Sequence, residues 1–121
     1  MYVIDFTTVD WSNVEATRHN GETGTAMYKT LLLDGLRIRL VIYSANYRAD
    51  HWCSMGHIVH CLEGEMKSEL MDGRVYELKA GMTYVVSDQL SSHRSYSRDG
   101  VKLLIIDGAF LQLRNRTHTT S

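Results

Sequence analysis

Hydrophobic and polar residues alternate along this chain in short runs, and almost nowhere with a helical period. The clearest run is Leu36 to Tyr43. There Leu36, Ile38, Leu40 and Ile42 fall on one face, and Arg37, Arg39, Val41 and Tyr43 on the other. Ala26 to Leu33 reads as a strand before it, joined through Asp34-Gly35, a strong hairpin signal. Further strands are predicted over Gly56 to Leu62, Met66 to Met71, Arg74 to Leu78, Met82 to Val86, His93 to Ser97 and Val101 to Ile106. Asp72-Gly73 closes a second hairpin, and Asp99-Gly100 is expected to pair His93 to Ser97 with Val101 to Ile106. Tyr2 to Phe6 reads as a short first strand. Asp10 to Gly24 is polar and irregular, with Asp10 or Ser12 able to cap one helical turn. Many short strands at even spacing predict an all-β sandwich or barrel. Ala109 to Leu113 is an apolar run that wants a surface to pack on, either its own barrel or a second copy. The segment from Asn115 is a polar tail.

Composition narrows the classes. At 121 residues the chain is one domain, residues 1–114 forming the barrel and 115–121 a flexible tail. Hydrophobic content of 44% and charged content of 22% fit a globular protein. A net charge of −1 implies no basic face, which argues against nucleic acid and anionic membrane as partners. No apolar run approaches a membrane span. The opening Met-Tyr-Val-Ile-Asp-Phe lacks a signal-peptide pattern, so the expected location is the cytoplasm, with both cysteines reduced. The chain has no proline, so Gly, Asn, Asp and Ser must make the turns.

Chemistry concentrates in residues 49–64, which hold three of the six histidines and both cysteines. On an extended strand His51 and Cys53 share a face, ~6.6 Å apart. His57 follows a turn at Ser54-Met55-Gly56 and approaches from the next strand. His93, after Gly81 and a later strand, completes a set of four ligands for one metal. Imidazole with thiolate suits zinc, iron(II), nickel or copper and disfavours magnesium and calcium. Cys61 lies ~13 Å beyond His57 on an extended strand and reads as a core residue. His60 points away from His57. His19 and His118 fall in loop and tail. Arg37 and Arg39 could hold an anionic substrate, although an exposed sheet face fits them better. Tyr47 shares a face with His51, and Ser95 and Ser97 share one with His93; Tyr84 shares one with Val86.

These residues resemble the cupin family. Its first motif, G-x5-H-x-H-x3–4-E-x6-G, aligns Ala45 with the opening glycine, His51 and Cys53 with the two histidines, His57 with the glutamate and Gly64 with the closing glycine. The second motif matches at Gly81, with Ser87 in place of proline, Gln89 in place of glycine and the histidine one residue late, at His93. Asp50-His51-Trp52-Cys53 with Gly56-His57 is similar to the small bacterial cupins with a DHCW-type signature, as are Asp10-Trp11-Ser12 and the Gly21-to-Ala26 stretch that contains Glu22. The resemblance implies a double-stranded β-helix, or jelly-roll barrel, with one divalent transition metal in its mouth, a small-molecule ligand and a homodimer. It implies no particular activity for the subgroup. A metal-dependent oxygenase or isomerase and a non-catalytic barrel with structural zinc both stand. Zinc fits the softened ligand set best, with iron and nickel as the other choices. Four ligands would close a tetrahedral site; three would leave room for a water.

Overall fold

The structure is a computed structural model that describes residues 2–112. Nine antiparallel strands build it: β1 (Thr17–Asn20), β2 (Thr25–Leu33), β3 (Leu36–Tyr43), β4 (Tyr47–Arg48), β5 (His57–Leu70), β6 (Val75–Lys79), β7 (Thr83–Val86), β8 (His93–Ser97) and β9 (Val101–Gly108). Single 3-10 turns at Trp11–Asn13 and Ala109–Leu111 are the helical elements among the described residues. The first is capped by Asp10, whose carboxylate accepts from the Ser12 backbone N–H.

β5 organises the barrel. Its first half pairs with β9 and β7, its second half with β6 and β8. Two predicted strands are therefore one long strand that passes from one sheet to the other. The crossing is made by a bulge between Cys61 and Glu63, followed by Gly64 at φ +77°. One sheet runs β1-β2-β3-β9-β5-β7, the other β6-β5-β8-β4.

Three expectations need correction. Residues 2–6 form no strand; Val3 N–H donates to Asp34 at the β2–β3 turn, and a strand appears instead at β1 within the polar stretch. β8 and β9 are not a hairpin pair. β8 lies between β5 and β4 in one sheet, while β9 lies between β3 and β5 in the other, so the Asp99-Gly100 turn joins sheets. The face of β3 that points inward carries Arg37, Arg39, Val41 and Tyr43, not the four aliphatics. Val41 and Tyr43 are buried, while Ile42 is 47% exposed. Of the apolar run after β9, Leu111 is buried against the barrel and Phe110 is exposed; Leu113 and the segment from Asn115 lie outside the described residues.

The inward positions of three neighbouring strands match row by row. Leu103 of β9 sits between Val41 of β3 and Cys61 of β5, all three fully buried. Ile105 sits between Arg39 and Val59. The next row pairs Asp107 with Arg37, and His57 begins β5 on its other side. The interior thus grades from aliphatic at the closed end to ionisable at the mouth.

Gly64 is the expected weak point. A Cβ there would come within 2.4 Å of the Gly100 carbonyl oxygen, and its positive φ disfavours any L side chain. Gly64→Ala should destabilise the fold by about 2–4 kcal/mol, read as a shifted denaturant midpoint. An unchanged midpoint would mean the crossing is not strained.

Candidate metal centre

Cys53, His57 and His93 converge at the barrel mouth, their ligand atoms all within 4.8 Å of one another. Each comes from a strand end or a pinned segment rather than a strand middle. His57 opens β5 and His93 opens β8. Cys53 is in no strand, yet its backbone exchanges two hydrogen bonds with His93, of 2.8 and 2.9 Å. The turn after it is tied to the loop before β8: Gln89 N–H donates to the Ser54 carbonyl and Gly56 N–H to the Asp88 carboxylate. This lacing fixes the cysteine where strand pairing does not.

The donor atoms are presented for ligation. Cys53 Sγ lies 3.5 Å from His57 Nε2, close to the ~3.6 Å edge of a zinc tetrahedron built from ordinary Zn–S and Zn–N lengths. His57 Nδ1 faces Asp107 Oδ2 at 3.5 Å, longer than a good hydrogen bond, and otherwise has no partner. His93 Nδ1 is 3.0 Å from the Ser91 carbonyl, so it carries the proton and leaves Nε2 as the free donor. Acceptors behind both rings are the usual orientation of metal-bound imidazoles.

Charge supports the same arrangement. Burial would push the Cys53 thiol up, but His57 and His93 hold it down to about 5, as a thiolate at neutral pH. Burial works against a charged His57, yet Asp107 on one side and Cys53 on the other raise it above the ordinary imidazole value. Burial likewise works to raise Asp107. The nearby His57 imidazole and the hydrogen bonds from Arg37 prevail and keep its carboxyl well below the usual range. Arg37 makes a two-pronged contact with Asp107, at 3.0 and 2.6 Å.

His51 is placed apart. Its side chain is 74% exposed and its Nδ1 lies 2.6 Å from Asp50, at the rim of the cavity. The reason is local: residues 50–56 form bends and a single bridge rather than a strand, so the two-residue period that put His51 beside Cys53 does not operate. Cys61 is fully buried, with carbonyls of Glu63 and Gly64 beside its sulfur, and is a core residue. Glu22 is exposed on a segment stitched to Arg48.

The centre opens into a cavity of about 250 Å³. Arg37 and Arg39 line it, contrary to the exposed face expected for them, together with Tyr28, Tyr43, Tyr47 and Tyr84. Tyr43 and Tyr47 stack with ring centroids 4.0 Å apart. Burial raises the phenols of Tyr43, Tyr47 and Tyr84, which stay neutral and able to donate. Sequence reasoning missed Asp107. The signal was present in the period of Val101, Leu103 and Ile105, which places residue 107 on the same inward face.

No protein-family model and no curated protein matches the sequence. Solved structures match the fold. An RmlC-like cupin from Shewanella frigidimarina superposes with a TM-score of 0.70 at 15% identity, covering 86% of this chain and 91% of that one. Ectoine synthase from P. lautus gives 0.66 at 20% identity over 89% and 80%. The polyketide cyclase RemF from Streptomyces resistomycificus gives 0.68 at 19% over 86% and 80%. No helix among the described residues is long and apolar enough to cross a membrane. With its curled antiparallel sheets and these neighbours, the chain has the β-barrel fold of the cupin superfamily.

Proposed function

We propose that this protein is a metal-dependent cupin enzyme acting on a small molecule, with Cys53, His57 and His93 as the ligands of one divalent ion. The observation that carries the reading is the convergence of one thiolate and two oriented imidazoles at the mouth of a cavity. Three protein ligands fit the pattern of catalytic rather than structural zinc, which is closed by four. When bound, zinc would supply Lewis-acid polarisation of a substrate oxygen. The thiolate favours zinc over the harder ions. Zinc has no redox chemistry, so isomerisation or cyclisation is favoured over oxygenation. Proteins of similar fold include a polyketide cyclase and one described as a sugar phosphate isomerase.

The chain's own groups have defined parts. Asp107 holds the His57 ring from behind, and Arg37 fixes Asp107. The Tyr28, Tyr43, Tyr47 and Tyr84 side chains narrow the cavity and limit water. Tyr84 packs edge-on to His93, 6.0 Å between ring centroids, and its phenol stays neutral.

A second reading is favoured by the line Cys53–His57–Asp107, which has the order of a thiolate nucleophile, a base and its orienting carboxylate. The two readings separate experimentally. Elemental analysis of as-purified protein should find about one zinc per chain. Cys53→Ala and His57→Ala should remove most of it, while His51→Ala and Cys61→Ala retain it. Asp107→Asn should weaken zinc affinity by about 10–100-fold. Equal metal loss from His51→Ala would restore the four-ligand site; no metal in any of the proteins would leave the nucleophile reading.

The thiolate gives a pH signature. In metal-free protein the ultraviolet thiolate absorbance should persist at neutral pH and disappear as pH falls through about 5, because the proton returns to Cys53 below its depressed pKa. Zinc should protect Cys53 from iodoacetamide at neutral pH. Unprotected alkylation at full zinc loading would exclude Cys53 as a ligand.

A further inference from the structure

Three arginines line the cavity: Arg37, Arg39 and Arg94. Two are already engaged. Arg37 is held by Asp107. Arg94 donates to Glu69 at 2.8 Å and lies over the Trp52 ring at 4.6 Å. Arg39 differs. Its side chain is only 16% exposed. Its ion pair is with the same Asp107 oxygen that Arg37 engages, and at 3.6 Å it lies beyond hydrogen-bond reach, so the two guanidiniums share one carboxylate. The Arg39 Nε, like that of Arg94, is buried with no acceptor, and unlike Arg94 this residue has no carboxylate to itself among the described residues. A guanidinium without its own counter-charge is costly to bury. Its plane is set by the Tyr28 ring beneath it, 5.5 Å away.

We propose that Arg39 is the recognition residue for a carboxylate, and that the cavity takes a small organic monoanion. The inference deepens the metal-dependent reading above and rests on it for the second contact only. A divalent ion with a single thiolate ligand carries net positive charge, which adds to that of Arg39 and attracts an anion to the space between them. A planar carboxylate matches the fork of a guanidinium. The remaining wall is suited to an apolar or flat body: the stacked Tyr43 and Tyr47 rings, with Val59, Leu103 and Ile105. One guanidinium that only shares a carboxylate, among such walls, fits a carboxylate ligand better than a phosphate dianion, which would call for more donors.

Calorimetric titration with benzoate, its neutral isostere benzamide, and inorganic phosphate tests this on the full chain, metal-free and zinc-loaded. Benzoate should bind at least about tenfold more tightly than benzamide. Arg39→Gln should abolish that preference while zinc content stays unchanged. If Arg39→Gln does not fold, judged by circular dichroism, the preference in the unaltered protein decides. Equal affinity for benzoate and benzamide, or no binding of either, overturns the proposal. Phosphate binding more tightly than benzoate also overturns it, in favour of a phosphorylated substrate. A benzoate preference that depends on Arg39 in a protein that takes up no zinc upholds this inference while the metal reading fails.

Discussion

The site depends on one buried carboxylate. Asp107 is 4% exposed and stands in a single cross-strand row between Arg37 of β3 and His57 of β5. An isolated carboxylate at that depth would be strongly disfavoured. Here it is held ionised by the two-pronged Arg37 contact and by the imidazole beyond it. Removing Arg37 would leave the buried carboxylate with only the longer contacts to Arg39 and His57. The row is therefore fixed as a unit. What it fixes is the direction of the His57 ring, with Nδ1 to the carboxylate and Nε2 to the cysteine. The pKa directions of His57 and Asp107 follow largely from that one line of contacts, and that of Cys53 from its end at His57 together with His93.

The backbone beneath that row is set by β5. Because this strand serves both sheets, the residues at its start share an interior with those of β9 and β3, while its end pairs with β8. His57 and His93 are then brought together by opposite ends of one topology: the first residue of β5 and the first residue of a strand that pairs with its last. Their ring centroids lie 5.4 Å apart. The crossing at Gly64 is remote from the mouth, yet it determines which sheet each half of β5 joins. The bulge also keeps Cys61 pointing into the core, away from the histidines.

Most strands were legible in the sequence because hairpin dipeptides and period-two patterns are local signals. Asp34-Gly35 and Asp72-Gly73 turn where they were expected. Long-range pairing was not legible. Asp99-Gly100 has the same chemistry as those turns, yet it joins different sheets, since a turn type does not specify whether its flanking strands pair. The inward face of β3 was misassigned for a related reason. Counting apolar residues favours the Leu36 face, but the opposite face finds a hydrogen-bonded partner for Arg37 only when β9 is laid beside it, 70 residues away in sequence. Three of the four proposed ligands are brought together because histidine and cysteine at strand ends need only the fold to converge. His51 depended on a strand that bends and a single bridge replace.

The interior gradient explains why ionisable groups can gather at this mouth without weakening the fold. Leu103, Val41, Val59 and Cys61 make a fully buried aliphatic layer that needs nothing from the site above it. The polar row is stacked on that layer, one pleat further along the same three strands. Arg39 lies at the boundary, beside Ile105 in register and one step from Asp107. It is deep enough to lose water, and its one ion pair among the described residues, at 3.6 Å, is with a carboxylate oxygen that Arg37 already engages at 2.6 Å. Such a residue contributes little to the barrel's own stability, since it adds a second cation to a carboxylate already engaged by Arg37. Its position is explained by what enters the cavity, and a carboxylate bound there would give Arg39 the counter-charge that, among the described residues, it shares with Arg37.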